Sequence, residues 1–215
     1  GSLWATGHNG SGQLGDGTTT QRHTPVQVVS SGVVSVSAGT HFTTFIKSDG
    51  SLWGMGWNNY GQLGDGTTTQ RLTPVQVVSS GVVSVSSGHY VTRFLKSDSS
   101  LWGMGRNDNG ELGDGTTTDR HSPLQMVSSG VASAARGYHH SSFVKSDGSL
   151  WATGYNPQGQ LGDGTTTQRS TPVQAVSSGV VSVSAGFYHT MFLKSDGSLW
   201  ATGRNSEGEL GDGTT

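Results

Sequence analysis

The sequence repeats every 49 residues, and this period constrains the fold more than any other feature. One tryptophan per repeat keeps the spacing without an insertion, at Trp4, Trp53, Trp102, Trp151 and Trp200. The repeat units are residues 1–49, 50–98, 99–147 and 148–196, followed by a partial copy at 197–215. An unbroken period predicts the same local structure in every unit, so we interpret residues 1–215 as a single repeat domain.

Each repeat contains four short segments that have the composition of β-strands. Val33–Ala38 alternates in its second half, Phe42–Lys47 follows, and further runs start at Ser51 and Pro74. The Asp-Gly pair at 49–50 predicts a type I′ hairpin turn with positive φ at both residues. No window has the apolar period of an α-helix, so we expect none. Four strands per repeat of this length are typical of a β-propeller blade, and the fold class is therefore all-β.

Composition argues against several functional classes. The chain has no cysteine, which excludes disulfides, thiolate metal sites and cysteine nucleophiles. The net charge is −2 with no basic block, so we do not expect a nucleic-acid partner. No apolar run is long enough for a transmembrane helix, so we expect no membrane insertion. No catalytic or cofactor-binding motif is present, so we expect neither enzymatic activity nor a cofactor.

The loop Asn9–Gly17, the pair Pro25-Val26, the run Val36–Gly39 and the segment Asp49–Trp53 resemble the RCC1-like repeat family. The resemblance extends over the whole chain in five copies, although Thr6 stands where the family usually has tryptophan. It implies a β-propeller, commonly of seven blades. Seven repeats exceed the length of this chain, so we expect an arc or a fragment of a larger ring. Family members include a GTPase exchange factor, an ultraviolet receptor and a β-lactamase inhibitor, so the fold does not define the function.

Two groups of positions vary between repeats and are rich in aromatic residues, histidine and arginine. The first group lies beside an invariant asparagine and contains His8, Trp57, Tyr60, Arg106, Tyr155 and Arg204. The second follows the glycine after the first strand and contains His41, Phe42, His89, Tyr90, Tyr138, His139, His140, Phe187, Tyr188 and His189. Such residues are typical of recognition loops on a rigid scaffold, which predicts a partner-binding surface. Packing against the next blade and drift in exposed turns remain alternatives.

Other repeated residues favour structure over chemistry. Asp16 and Arg22 recur in every full repeat, and we interpret them as a turn-forming carboxylate and an arginine that clamps the loop. The repeated tryptophans are expected to pack between blades. The histidines of the second group could form a metal-binding ring, but their positions shift by one or two residues, so we expect no metal.

These patterns predict a non-enzymatic binding module for a macromolecular partner, and we expect that partner to be a protein. A carbohydrate ligand is also compatible, because exposed aromatic rings stack on sugars. The alternative is a structural protein that forms homo-oligomers through the incomplete blades at its ends. A GTPase exchange factor is a weaker alternative. The sequence identifies neither the compartment nor the number of blades in the intact ring.

Overall fold

The computed structural model describes residues 1–215, which form β-strands, turns and loops without a helix. The prediction of an all-β fold is therefore confirmed. The structure accordingly has no helix with the length and apolar character needed to span a bilayer. The chain divides into two compact units, Gly1–Arg106 with Asp119–Gln125, and Asn107–Thr118 with Met126–Thr215.

The strands of the first unit follow the repeat. They are β1 (Leu3–Gly7), β2 (Arg22–Val29), β3 (Val33–Ala38), β4 (Phe42–Lys47), β5 (Leu52–Gly56), β6 (Arg71–Val78), β7 (Val82–Ser87), β8 (Val91–Lys96), β9 (Leu101–Gly105) and β10 (Arg120–Val127), which ends in the second unit. The remaining strands are β11 (Val131–Arg136), β12 (His140–Lys145), β13 (Leu150–Gly154), β14 (Arg169–Val176), β15 (Val180–Ala185), β16 (His189–Lys194) and β17 (Leu199–Gly203).

Within each sheet, strands that follow one another in sequence are neighbours. Three sheets have four strands each, in the orders β3-β4-β5-β6, β7-β8-β9-β10 and β11-β12-β13-β14. The pair β1-β2 and the triplet β15-β16-β17 form two shorter sheets. The four-stranded repeat was predicted, and β3 and β4 have the predicted bounds. Strand β6 begins earlier than Pro74, because Arg71 pairs with Gly56.

The hairpin turn between β4 and β5 differs from the predicted type I′ turn. Gly50 has a φ of 75°, but Asp49 is not among the residues with positive φ. The Gly50 N–H donates to the Lys47 carbonyl at 2.9 Å, which closes the turn. The Asp49 carboxylate accepts hydrogen bonds from the backbone N–H and the hydroxyl of Ser51 at 2.9 and 2.6 Å. Asp49 thus stabilises the turn through its side chain, without the left-handed backbone that we predicted.

The core lies between the faces of successive sheets within each unit. In the first unit, Ile46 and Leu52 of one sheet form a buried cluster with Val82, Phe94 and Met104 of the next. In the second unit the equivalent cluster is Val144, Leu150, Val180 and Phe192. The repeated tryptophans lie at the edge of this packing. Trp53 is half-buried and stacks on Phe45 with ring centroids 6.3 Å apart, whereas the first and last tryptophans are exposed.

Candidate functional site

An invariant asparagine organises the loop that presents the first variable group. Asn58 is fully buried, and its amide donates to the Asp65 carboxylate at 3.0 Å and to the carbonyls of Thr67 and Thr69 at 3.0 and 3.2 Å. Its side-chain oxygen accepts the N–H of Leu63 at 2.9 Å. The loop needs this internal polar framework because it lacks the ladder bonds of a strand. The variable residues are therefore attached to a loop of fixed shape.

The repeated aspartate and arginine have the predicted clamping geometry. The Nε of Arg22 lies 2.6 Å from an Asp16 carboxylate oxygen, and Arg71 has the same distance to Asp65. Burial of the Asp16 carboxyl would raise its pKa. Hydrogen bonds from Thr18 and Arg22 outweigh that effect and lower the pKa from 3.8 to about 2. The carboxylate is thus a structural anion, since its charge is satisfied within its own loop.

The lowered pKa of Asp16 predicts an acid-sensitive loop. Its folded pKa lies below its unfolded value, so the stabilisation is complete above about pH 4 and declines as the pH falls towards about 2. We expect the urea midpoint to fall over this range. The Asp16→Asn variant should have a lower midpoint at pH 7 and a flatter dependence between pH 4 and 2 than the parent chain. A dependence as steep as the parent's would contradict this assignment.

Backbone hydrogen bonds bring the two variable groups side by side. The N–H of Trp57, in the first group, donates to the carbonyl of His41, in the second, at 2.9 Å. The N–H of Arg106 donates to the carbonyl of Tyr90 at 3.0 Å in the following repeat. Gly56 makes this approach feasible, because it has a φ of 106° and a Cβ there would lie 2.6 Å from the His41 carbonyl.

In the first unit these residues form one cluster, which we call the first aromatic surface. It consists of His8, His41, Trp57, Tyr60, His89, Tyr90 and Arg106. Trp57 is central, with ring centroids 5.6 Å from Tyr60 and 4.9 Å from Tyr90. The Arg106 guanidinium lies 5.8 Å from the Tyr60 centroid and 6.0 Å from that of Tyr90. His8 is exposed and the other members are half-buried, so the rings support one another and remain accessible.

The second unit carries a separate cluster, the second aromatic surface, made of Tyr138, His139, Tyr155, Phe187 and Tyr188. Tyr138 and Phe187 are stacked with centroids 3.8 Å apart, and Phe187 is 49% exposed. His139 lies 3.6 Å from the buried carboxylate of Glu111. This surface therefore combines an exposed ring with a buried acid.

The structure corrects part of the predicted set. Phe42 and His140 are fully buried, so neither side chain can contact a partner. Each begins a strand, where the residue after the loop points into the sheet packing. His189 begins the equivalent strand and is half-buried. Arg204 is 37% exposed and its N–H donates to the Tyr188 carbonyl at 2.9 Å.

Sequence reasoning missed a column of buried polar residues beneath the variable loops. Gln62, Glu111 and Gln160 are all buried. Arg136, on β11, was also missed. Burial lowers the pKa of its guanidinium to about 10, and Glu111 and Tyr138 oppose this shift. Comparison between repeats could have found both, since glutamine changes to glutamate at 111 and 209, and alanine or serine to arginine at 136. No group of three or more potential metal ligands occurs in the chain.

Comparisons with known proteins agree with this architecture. A family model for the RCC1-like domain matches residues 1–215. Human WBSCR16 superposes with a TM-score of 0.81 at 23% identity, over 97% of this chain and 58% of that chain. Yeast RCC1 (Prp20) bound to Kap60 has a TM-score of 0.78 at 18% identity, over 94% and 52%.

A second structure, Prp20p from Saccharomyces cerevisiae, described with its binding properties to Gsp1p and histones, has a TM-score of 0.75 at 22% identity and covers 94% of this chain and 52% of that chain. The chain thus spans a little over half the length of these three proteins. At these identities the likeness establishes the fold. No curated protein sequence matches the chain.

Proposed function

This chain belongs to the RCC1-like family over residues 1–215, and from that premise we propose that it is a non-enzymatic β-propeller module that binds a protein partner. Its recognition site is the first aromatic surface. The observation that carries this proposal is the accessible cluster of Trp57, Tyr60 and Tyr90 with Arg106 beside it.

The composition of this surface supports protein recognition. Tryptophan, tyrosine and arginine dominate the binding energy of protein interfaces. The two aromatic side chains bury large areas while losing little side-chain entropy. Drift in solvated turns would instead yield small or charged residues. The Trp57 ring is also preorganised. Trp57 lies on a loop that is held by the Asn58 side chain, and its backbone N–H donates a hydrogen bond to the His41 carbonyl. A preformed surface lowers the entropic cost of association.

The related structures support the proposal at the same coarse level. Yeast RCC1 (Prp20) forms a complex with Kap60, and Prp20p is described as binding Gsp1p and histones. We carry over only the general property of binding proteins, because the identity to those chains is 18% and 22%.

The test is capture of a partner by the immobilised chain and its Trp57→Ala/Tyr60→Ala variant. We expect the captured amount of any specific partner to fall by about tenfold or more, because two rings at the centre of an interface contribute at least ~2 kcal/mol. Quantitative mass spectrometry of the captured proteins measures the loss, and a thermal melt checks that each variant is folded.

Val34→Ser/Val83→Ser is the matched control, because both valines are exposed large apolar residues of the first unit outside the aromatic surface. A specific partner is a protein that this control retains and the aromatic variant loses. If no protein behaves in this way, protein recognition through this surface is wrong. Binding of the parent chain to immobilised polysaccharide that is lost in the aromatic variant would indicate a carbohydrate ligand. Concentration-dependent growth in light scattering would indicate self-assembly, and faster nucleotide release from a small GTPase would indicate exchange activity.

A further inference from the structure

Two positions in each variable loop change together between repeats. The first precedes the invariant asparagine, and the second lies five residues later. The second position is buried in the three middle loops and half-buried in the first and last loops. The five pairs are His8–Gln13, Trp57–Gln62, Arg106–Glu111, Tyr155–Gln160 and Arg204–Glu209. Glutamate occurs in both loops whose first member is arginine, and glutamine occurs in the three others. The loops thus vary as pairs.

One oxygen of the second member has the same structural task in every loop. It accepts the backbone N–H two residues earlier, at distances of 2.8 to 3.1 Å. The donors and acceptors are Ser11 and Gln13, Tyr60 and Gln62, Asn109 and Glu111, Gln158 and Gln160, and Glu207 and Glu209. Glutamine and glutamate fulfil this task equally well, so it does not explain why they alternate.

The remaining atom of the second member has different surroundings in different loops. The Nε2 of Gln13 lies 2.8 Å from Nδ1 of His8, and an oxygen of Glu209 lies 3.2 Å from Nε of Arg204. In the loops whose first member is Trp57 or Tyr155, the Nε2 of the buried glutamine has no hydrogen-bond partner. The free end of the second member therefore contacts the first member where that residue is His8 or Arg204, and lacks a hydrogen-bond partner where it is Trp57 or Tyr155. In the third loop, the second Glu111 oxygen accepts the Asn109 Nδ2–H at 3.1 Å.

We propose that the second member is a positioning residue that determines which side chain its loop can present to a partner. A carboxylate accepts from a guanidinium and fixes it, whereas a carboxamide opposite arginine would set donor against donor. A buried carboxylate opposite an aromatic ring would be an uncompensated charge. A loop therefore exchanges an aromatic for a cationic contact residue only when both positions change. This inference rests on the proposed function, because the contact residues belong to the proposed recognition surfaces.

The first test is a double-mutant cycle in the second loop, with Trp57→Arg, Gln62→Glu and both together. Each single change places an unmatched group in or beside a buried site, so we expect each to raise the unfolding equilibrium constant by roughly tenfold or more. If the two changes acted independently, their effects on the unfolding equilibrium constant would multiply. We expect the constant of the double variant to be at least about tenfold smaller than that product, because the new pair is matched. Independent effects that simply multiply would overturn the proposal.

The second test uses the more exposed fifth loop, where substitutions are less able to unfold the chain. Arg204 Nε also donates to the Ser206 hydroxyl, so Ser206→Ala is the matched control for Glu209→Gln. We expect the Arg204 Nε–H proton signal in nitrogen-15 spectra to move upfield and lose its protection from exchange in Glu209→Gln, with a smaller change in Ser206→Ala. The reverse order would show that Ser206 holds the guanidinium, and would overturn the positioning role of Glu209.

Both measurements use the free chain, so their failure is distinguishable from failure of the proposed function. A surface that captures no protein, combined with strong coupling in the cycle, would leave the pairing intact and contradict the binding role. Normal capture combined with independent effects in the cycle would leave the binding role intact and contradict the pairing.

Discussion

Replacing Asn58 with alanine is expected to lower the free energy of unfolding by about 3–5 kcal/mol, one of the two largest single effects in this chain. The side chain is fully buried and is hydrogen-bonded within its loop to Asp65, Thr67, Thr69 and Leu63. Its loss leaves the carbonyls of Thr67 and Thr69 and the N–H of Leu63 without these partners. Each unsatisfied buried group costs roughly 1–3 kcal/mol. Urea unfolding monitored by tryptophan fluorescence measures the change.

Asn205→Ala is the matched control, because Asn205 occupies the same position of the partial fifth repeat. It makes the same kind of bonds, to Asp212 at 3.2 Å and to the Thr214 carbonyl at 3.1 Å, but these bonds are exposed. Water can replace them, so we expect a cost below about 1 kcal/mol. Equal effects of the two substitutions would mean that the asparagine acts through intrinsic loop conformation and not through buried hydrogen bonds.

Replacing Leu52 with alanine should cost about 2–5 kcal/mol, because the cavity lies inside a packed cluster that cannot fully close. Leu52 has no exposed surface and packs with Ile46, Val82, Phe94 and Met104. The lost stability comes from the transfer of the removed methyl groups and from the unfilled volume between two sheets. The same urea experiment measures it.

Leu199→Ala provides the comparison at the equivalent position of the last sheet, where the side chain is 64% exposed. We expect a change within about 0.5 kcal/mol, since exposed positions contribute little apolar burial. A small loss of stability in Leu52→Ala would contradict the assignment of Leu52 to the interface between successive sheets.

The candidate site was predictable in part. The sequence identified which loops vary and that their residues suit recognition, because these properties are local. It could not separate His41, in the first aromatic surface, from Phe42, which is fully buried. The two are adjacent in sequence, and their environments differ because β4 begins at Phe42 and directs it into the sheet packing. The pairing of Arg204 with Glu209 was visible in the repeats but gained a physical meaning only from the 3.2 Å distance.

The sequence alone determined the all-β fold and the four-stranded repeat. Turn residues and strand composition act over a few residues, and the 49-residue period repeats them without interruption. Only the tertiary structure decided that the two variable groups meet, through hydrogen bonds such as that from Trp57 to His41. It also decided which polar residues are buried beneath them. These features depend on contacts between residues far apart in the chain, and a repeat pattern carries no information about which of its faces will meet.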